Sequence, residues 1–227
     1  MTSTEFQLHR RIPFWIAVAA LLLTTGAVAL SFARRMSYDR QPIYLIGEAE
    51  RGAKLFYGDK QCSICHTVNG RGGSLAPDLT RDRPETPTMG WLISKLWNHG
   101  PVMWRRMRPE SKIRDLSAQD MADLLAFLGG PTYSEPPGSP LIGQKAFAER
   151  GCAACHGTAA EGTEWGPRVR ADREAYTAAT FAAKLWRHGP RMSDRVEQMG
   201  MQWPHLEPED IGNLVSFVNA VPDSIGR

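Results

Sequence analysis

The sequence predicts an all-α protein: one N-terminal transmembrane helix followed by two tandem helical domains. Three observations predict it. From Ile12 to Phe32 the chain runs for 21 residues without a charged side chain. Most of the chain beyond Phe32 is one pattern written twice. No segment alternates apolar and polar residues as a half-buried strand would.

The apolar run comes first. At about 1.5 Å per residue it spans roughly 30 Å, the thickness of a bilayer's hydrocarbon core. Arg10 and Arg11 precede it and Arg34 and Arg35 lie beyond it, so flanking charge alone does not orient it. The rival reading is a cleaved signal peptide, with Ala27-Val28-Ala29 as a small-residue cleavage site. The length of the run favours a retained anchor. Residues 1–40 are therefore expected to be an anchor and tether.

The repeat comes next. Cys62 and Cys152 are 90 residues apart, as are His66 and His156, Asp120 and Asp210, and Phe127 and Phe217. The run from Lys95 to Met103, with Trp97 and His99, returns 89 residues later from Lys184 to Met192, with Trp186 and His188. Two homologous domains are expected, at 41–132 and 141–227. The Pro- and Gly-rich stretch at 133–140 reads as the linker between them.

Within each domain the helices have local signals. Leu116, Met121, Leu124, Leu125 and Leu128 share one helical face, with Ser117 and Asp120 as a start and Gly129-Gly130 as a stop. Ile211, Leu214, Val215 and Val218 form the matching face, and Pro208 suits a first helical turn. His99-Gly100-Pro101 and His188-Gly189-Pro190 read as turns.

Charge excludes one class. Lys and Arg total 27 against 24 Asp and Glu, a net +3, which leaves no concentrated basic face for nucleic acid. Residues 41–132 hold 12 basic and 10 acidic side chains and residues 141–227 hold 10 and 11, so neither domain has a strong steering field. Arg105, Arg106 and Arg108 are a candidate docking patch beside an otherwise balanced surface.

The chemistry lies in the cysteines. All four fall in Cys62-Ser63-Ile64-Cys65-His66 and Cys152-Ala153-Ala154-Cys155-His156. Two residues between cysteines put their sulfurs about one helical turn apart, within reach of neighbouring vinyl groups of one porphyrin. The next residue then ligates the iron. Cys-x-x-Cys-His is read as covalent haem attachment for that reason. The rivals are a zinc site and a thioredoxin-like redox pair. Neither needs a histidine after the motif twice.

These residues resemble the class I cytochromes c, in a tandem dihaem form with an N-terminal anchor. The resemblance covers Glu48 to Ala220. It rests on Gly52 with Phe56 and Gly143 with Phe147, where the family crosses its first helix over its last, and on Asp123 to Leu128 and Asn213 to Val218 as that last helix. It implies two haem c groups, held by Cys62 and Cys65 and by Cys152 and Cys155. His66 and His156 would be iron ligands, each oriented by a carbonyl, from Pro77 and Pro167. A methionine sixth ligand suits an electron carrier. Met103 and Met192 hold the same place in both repeats and are the expected ligands. Met107, Met199 and Met201, or His99 and His188 in a bis-histidine pair, are the alternatives.

The functional expectation is a carrier without substrate chemistry, with no catalytic residues. It would pass single electrons between respiratory or photosynthetic complexes on the outer, periplasmic side of the cell's inner membrane. Its partners would be the membrane and other redox proteins or a larger complex, an oxidase or quinol-oxidising assembly. The alternative is a dihaem enzyme of peroxidase or thiosulfate-oxidising type, which would need an open iron position.

Overall fold

The computed structural model describes residues 16–28, 44–107, 112–129, 136–169 and 174–221. The chain divides into two units, Met1–Gln41 and Pro42–Arg227, and the second holds both repeats. In the first unit residues 16–28 are helical (α1), with Leu21, Leu22, Leu23 and Val28 all exposed. Among the described residues no helix is long and apolar enough to cross a membrane. The described part of the 12–32 run is shorter than the roughly 20 residues a bilayer needs. The remainder of that run, Arg10, Arg11, Arg34 and Arg35, the rest of the tether through 43, Arg108 and linker residues 133–135 lie outside the described residues.

In the second unit the same order of elements occurs twice. The first repeat has α2 (Ala49–Lys54), continued by a wider π turn at Leu55–Asp59, then a 3-10 turn at Cys62–Ile64, α3 (Met89–Arg106), a 3-10 turn at Lys112–Arg114 and α4 (Ala118–Gly129). The second has α5 (Pro140–Glu149), α6 (Ala153–His156), α7 (Ala178–Gln198) and α8 (Pro208–Ala220). Pro140, placed in the linker by sequence, is the first residue of α5.

Helix starts follow local chemistry. The Ser117 hydroxyl accepts from the Asp120 amide while the Asp120 carboxylate accepts from the Ser117 amide, both at 3.0 Å. Glu207 and Asp210 make the same reciprocal cap on α8, which opens with Pro208. On the long helices Thr88 caps α3 and Thr177 with Thr180 caps α7. Each such cap satisfies amides that the helix itself leaves unpaired, and is worth about 1 kcal/mol.

The first helix of each repeat crosses the last at a glycine. A Cβ on Gly52 would lie 2.0 Å from the Asp123 carbonyl oxygen, and one on Gly143 would lie 1.9 Å from that of Asn213. No other residue type permits that approach. Beside each crossing the aromatic rings meet, Phe56 with Phe127 at 5.5 Å and Phe147 with Phe217 at 5.3 Å between centroids.

Two expectations are corrected. A two-residue hairpin pairs Thr67–Val68 (β1) with Arg71–Gly72 (β2). Its turn is Asn69-Gly70, with φ of 51° and 74°. Two successive positive-φ residues make the turn that matches strand twist, and Asn-Gly is its strongest signature. The strands are too short to show alternation. The second correction concerns Gly100-Pro101 and Gly189-Pro190, which lie inside α3 and α7 rather than in turns. Proline at 101 removes the amide that would bond the Trp97 carbonyl. The indole Nε1 of Trp203 donates to that carbonyl instead, at 3.1 Å.

The repeats pack through α3 and α7 around Trp97, Trp104 and Trp186, all buried, and half-buried Trp203. The contacts are nearly two-fold symmetric. Trp97 Nε1 donates to the Pro204 carbonyl and Trp186 Nε1 to the Ile113 carbonyl, each at 2.8 Å and each across the repeat boundary. Trp104 lies over both glycines: a Cβ at Gly100 or Gly189 would come within 2.5 or 2.1 Å of its ring. The small residues before the prolines therefore make room for an indole.

Candidate haem sites

Each cysteine motif is wound into one tight turn. In the first, the amides of Cys65 and His66 donate to the Cys62 carbonyl at 3.2 and 3.1 Å; in the second, those of Cys155 and His156 donate to Cys152 at 3.3 and 3.0 Å. Both turns are entered through a left-handed residue, Gln61 (φ 56°) and Gly151 (φ 86°). The four cysteines are free, none in a disulfide. Burial pushes the Cys62 and Cys152 thiols up to about 11. Redox-active Cys-x-x-Cys pairs instead lower a thiol to about 3.5–7.5. Among the described residues no three His, Cys, Asp or Glu side chains cluster to hold a metal ion. Neither rival reading of the cysteines finds support there.

The histidines are oriented from behind. His66 Nδ1 lies 3.0 Å from the Pro77 carbonyl oxygen and His156 Nδ1 lies 2.7 Å from that of Pro167. A carbonyl only accepts, so Nδ1 carries the proton and Nε2 keeps its lone pair for a metal. The chain reaches this position by folding back on the motif. Gly73 donates to the Ser63 carbonyl at 2.7 Å and Ala76 to that of Cys65 at 2.9 Å. A Cβ on Gly73 would sit 2.0 Å from the Ile64 carbonyl oxygen. In the second repeat Gly166 packs against Cys155 and His156, and the Thr163 hydroxyl donates to the Cys155 carbonyl at 2.5 Å. Asp78 ties the first loop to the hairpin, accepting from the Thr80 amide at 2.7 Å and that of Gly70 at 3.0 Å. The Thr80 hydroxyl and those amides hold its carboxyl well below the usual range, against the opposing effect of burial.

On the far side, α3 carries His99 and Met103 one turn apart, with Met107 at its C-terminal cap. α7 carries His188 and Met192, with Met199 at its cap. Met103, Met107 and Met192 are half-buried against the core. Met199 is exposed, and its Sδ lies 4.0 Å from Cys155 Sγ. The ring of His99 comes within 6.4 Å of the His66 ring, nearly perpendicular to it. Burial, then the neighbouring His66 and Arg106, push the His99 ring below its ordinary pKa. Burial and the cations Lys184, Arg187 and Arg191 do the same to His188, with His156 adding a smaller effect.

The profile of the Cytochrome c family matches residues 49–130 and again residues 141–222. The chain belongs to the cytochrome c family. No curated protein sequence matches it closely enough to count as a relative. Two cytochrome c domains in tandem make it a haem electron-transfer protein, since the family binds haem c covalently. The residues present fit that group: two free cysteines one turn apart, then an imidazole whose Nδ1 is bonded to a carbonyl. Trp104 Nε1 and Arg114 Nε are also buried without an acceptor among the described residues. An unmet donor costs about 1–3 kcal/mol, and the carboxylates of a haem are acceptors of the right kind.

Sequence reading passed over three features. Lys60 pairs with Asp120 at 3.1 Å and Arg150 with Asp210 at 2.8 Å, closing each motif's approach onto the last helix. Both partners recur at an offset of 90, so the signal was in the repeat. The Asn69-Gly70 hairpin also had a local signal. The indole cluster did not, because Trp104 and Trp203 have no aligned tryptophans.

Proposed function

We propose that this cytochrome c is a dihaem electron carrier held on the outer side of a membrane by its 12–32 segment. It passes single electrons between respiratory or photosynthetic complexes, free or as a fixed subunit of an oxidase or quinol-oxidising complex. One observation carries the two-haem reading: each repeat presents a histidine with Nδ1 bound to a proline carbonyl, one residue beyond a wound cysteine pair. Haem c attached at Cys62 and Cys65 and at Cys152 and Cys155 supplies the reversible one-electron chemistry. His66 and His156 would ligate the iron, joined at the second site by Met192 on α7. The Pro77 and Pro167 carbonyls would hold the imidazoles in one tautomer and orientation and raise the basicity of Nε2.

The anchor reading rests on the charge-free run and on its length. A short tether would raise the effective concentration of the haem domains at a membrane-bound partner.

Mass spectrometry of the denatured protein tests the haems: two added haem groups are expected, and one after Cys152→Ala with Cys155→Ala. Two haems surviving in that variant sinks the assignment. Detergent, but not salt, should release the protein from membranes; release by salt overturns the anchor. Carbon monoxide separates carrier from enzyme, because an iron with two protein ligands resists it and an open one binds it.

A further inference from the structure

The two repeats share their fifth-ligand geometry but not what faces it. In the first repeat His99 reaches toward His66 from α3, ring centroids 6.4 Å apart and planes at 75°. Two imidazoles ligating one iron from opposite sides, each at a metal–nitrogen distance of about 2 Å, bring their centroids to about 6.3 Å. His66 has Nδ1 engaged with Pro77, so its open nitrogen is Nε2. His99 is exposed and makes no hydrogen bond among the described residues. Met103, one turn further along α3, is half-buried against the core cluster, as Met192 is in the second repeat, so the ring contact of His99 is what sets the first repeat apart. In the second repeat the ring contact of His156 is with Phe147 on α5, at 6.3 Å, not with a histidine of α7.

We infer that His99, in place of the expected Met103, is the sixth ligand of the first haem. The inference rests on covalent haem at Cys62 and Cys65. A methionine ligand raises the potential of haem iron relative to a second imidazole. The first haem is then the lower-potential of two unlike centres when Met192 serves the second, and electrons pass from the first repeat to the second.

The test uses the full-length, haem-loaded protein in detergent, read by near-infrared absorption and electron paramagnetic resonance. Met103→Leu is expected to leave both spectra and both midpoint potentials unchanged. His99→Ala is expected to turn one of two haems high-spin, and added imidazole to restore it to low spin. Loss of a methionine–iron band in Met103→Leu overturns the inference. So does a His99→Ala protein whose two haems stay low-spin. If His99→Ala fails to take up haem, the Met103→Leu spectrum decides alone. Absence of a covalent haem on the first motif of the wild type, by mass, counts against the proposed function and not against the ligand.

Discussion

The two repeats are one design with different side chains, and the differences separate what the site demands from what it tolerates. The crossing glycines, the wound cysteine turn and the histidine–proline contact recur with nearly equal distances. The cation closing onto the last helix recurs as a position, filled by Lys60 once and Arg150 once. Elsewhere the repeats part. Asp123 holds the Arg51 guanidinium through both oxygens at 2.8 Å and accepts from the Glu48 amide. Its counterpart Asn213 accepts the matching backbone amide, from Ser139 at 2.9 Å, and its own amide donates to the Glu209 carbonyl rather than pairing with a cation. The backbone contact is therefore the common requirement, and the charge pair is an addition of the first repeat.

Breaking the shared part should cost most, and equally in both halves. Gly52→Ala and Gly143→Ala each drive a methyl into a backbone carbonyl, so each should destabilise by about 3 kcal/mol in urea unfolding. A large loss for one and none for the other would mean that the two crossings differ in rigidity.

The interface tests the symmetry next. Trp97→Phe and Trp186→Phe each remove one cross-repeat hydrogen bond and should cost about 1–2 kcal/mol each. Trp203→Phe should cost a similar amount by a different route, exposing the Trp97 carbonyl that Pro101 leaves without a partner. The matching Pro190→Ala and Pro101→Ala variants distinguish them. Pro101→Ala restores the helical amide and should relieve the loss in Trp203→Phe, whereas Pro190→Ala should not.

Acid sharpens the contrast between Asp123 and Asn213. Burial alone would raise the Asp123 pKa, but hydrogen bonds from Arg51, Glu48 and Gln119 outweigh it and hold the carboxyl below its ordinary value. A depressed folded value means this stabilisation is present above the unfolded pKa of about 3.9 and is lost as pH falls through the folded one. Asp120, lowered by Ser117 and Lys60 against burial, acts in the same direction. Asp123→Asn should flatten the stability profile below about pH 4, seen by circular dichroism; an unchanged acid midpoint would count against the pair.

The smallest effect lies at the entry to the motifs. Gln61 adopts the left-handed conformation that Gly151 adopts without strain. Gln61→Gly should stabilise the first repeat by about 1 kcal/mol, and Gly151→Gln should cost a similar amount, in the same urea titration.

How much of this was legible depended on sequence distance. The helical class, the caps at Ser117 and Pro208 and the cysteine turns are properties of neighbours three or four residues apart, and the tandem repeat shows as identical residues at an offset of 89–90, so all could be read directly. Cys-x-x-Cys-His carries its chemistry within five residues. The crossing at Gly52 and Gly143 came through resemblance to a family, not from periodicity.

What only the tertiary structure decided is how distant segments complete one another. Gly100-Pro101 reads as a turn because proline removes an amide, yet α3 continues through it, and an indole from the other repeat supplies a donor to the Trp97 carbonyl that the proline leaves. Trp97 and Trp186 look like ordinary core residues of separate domains, yet each bonds a carbonyl of the opposite repeat, 107 and 73 residues away. His99 and Met103 lie on one helix one turn apart, and the sequence favoured Met103, with His99 as an alternative. The fold brings the His99 ring to 6.4 Å from that of His66 and leaves the Met103 thioether half-buried against the core, as it does Met192. A sequence states which groups a helix can present, because that is a matter of backbone geometry. Which of them meets the iron depends on where packing places the helix, and that is settled by contacts from elsewhere in the chain.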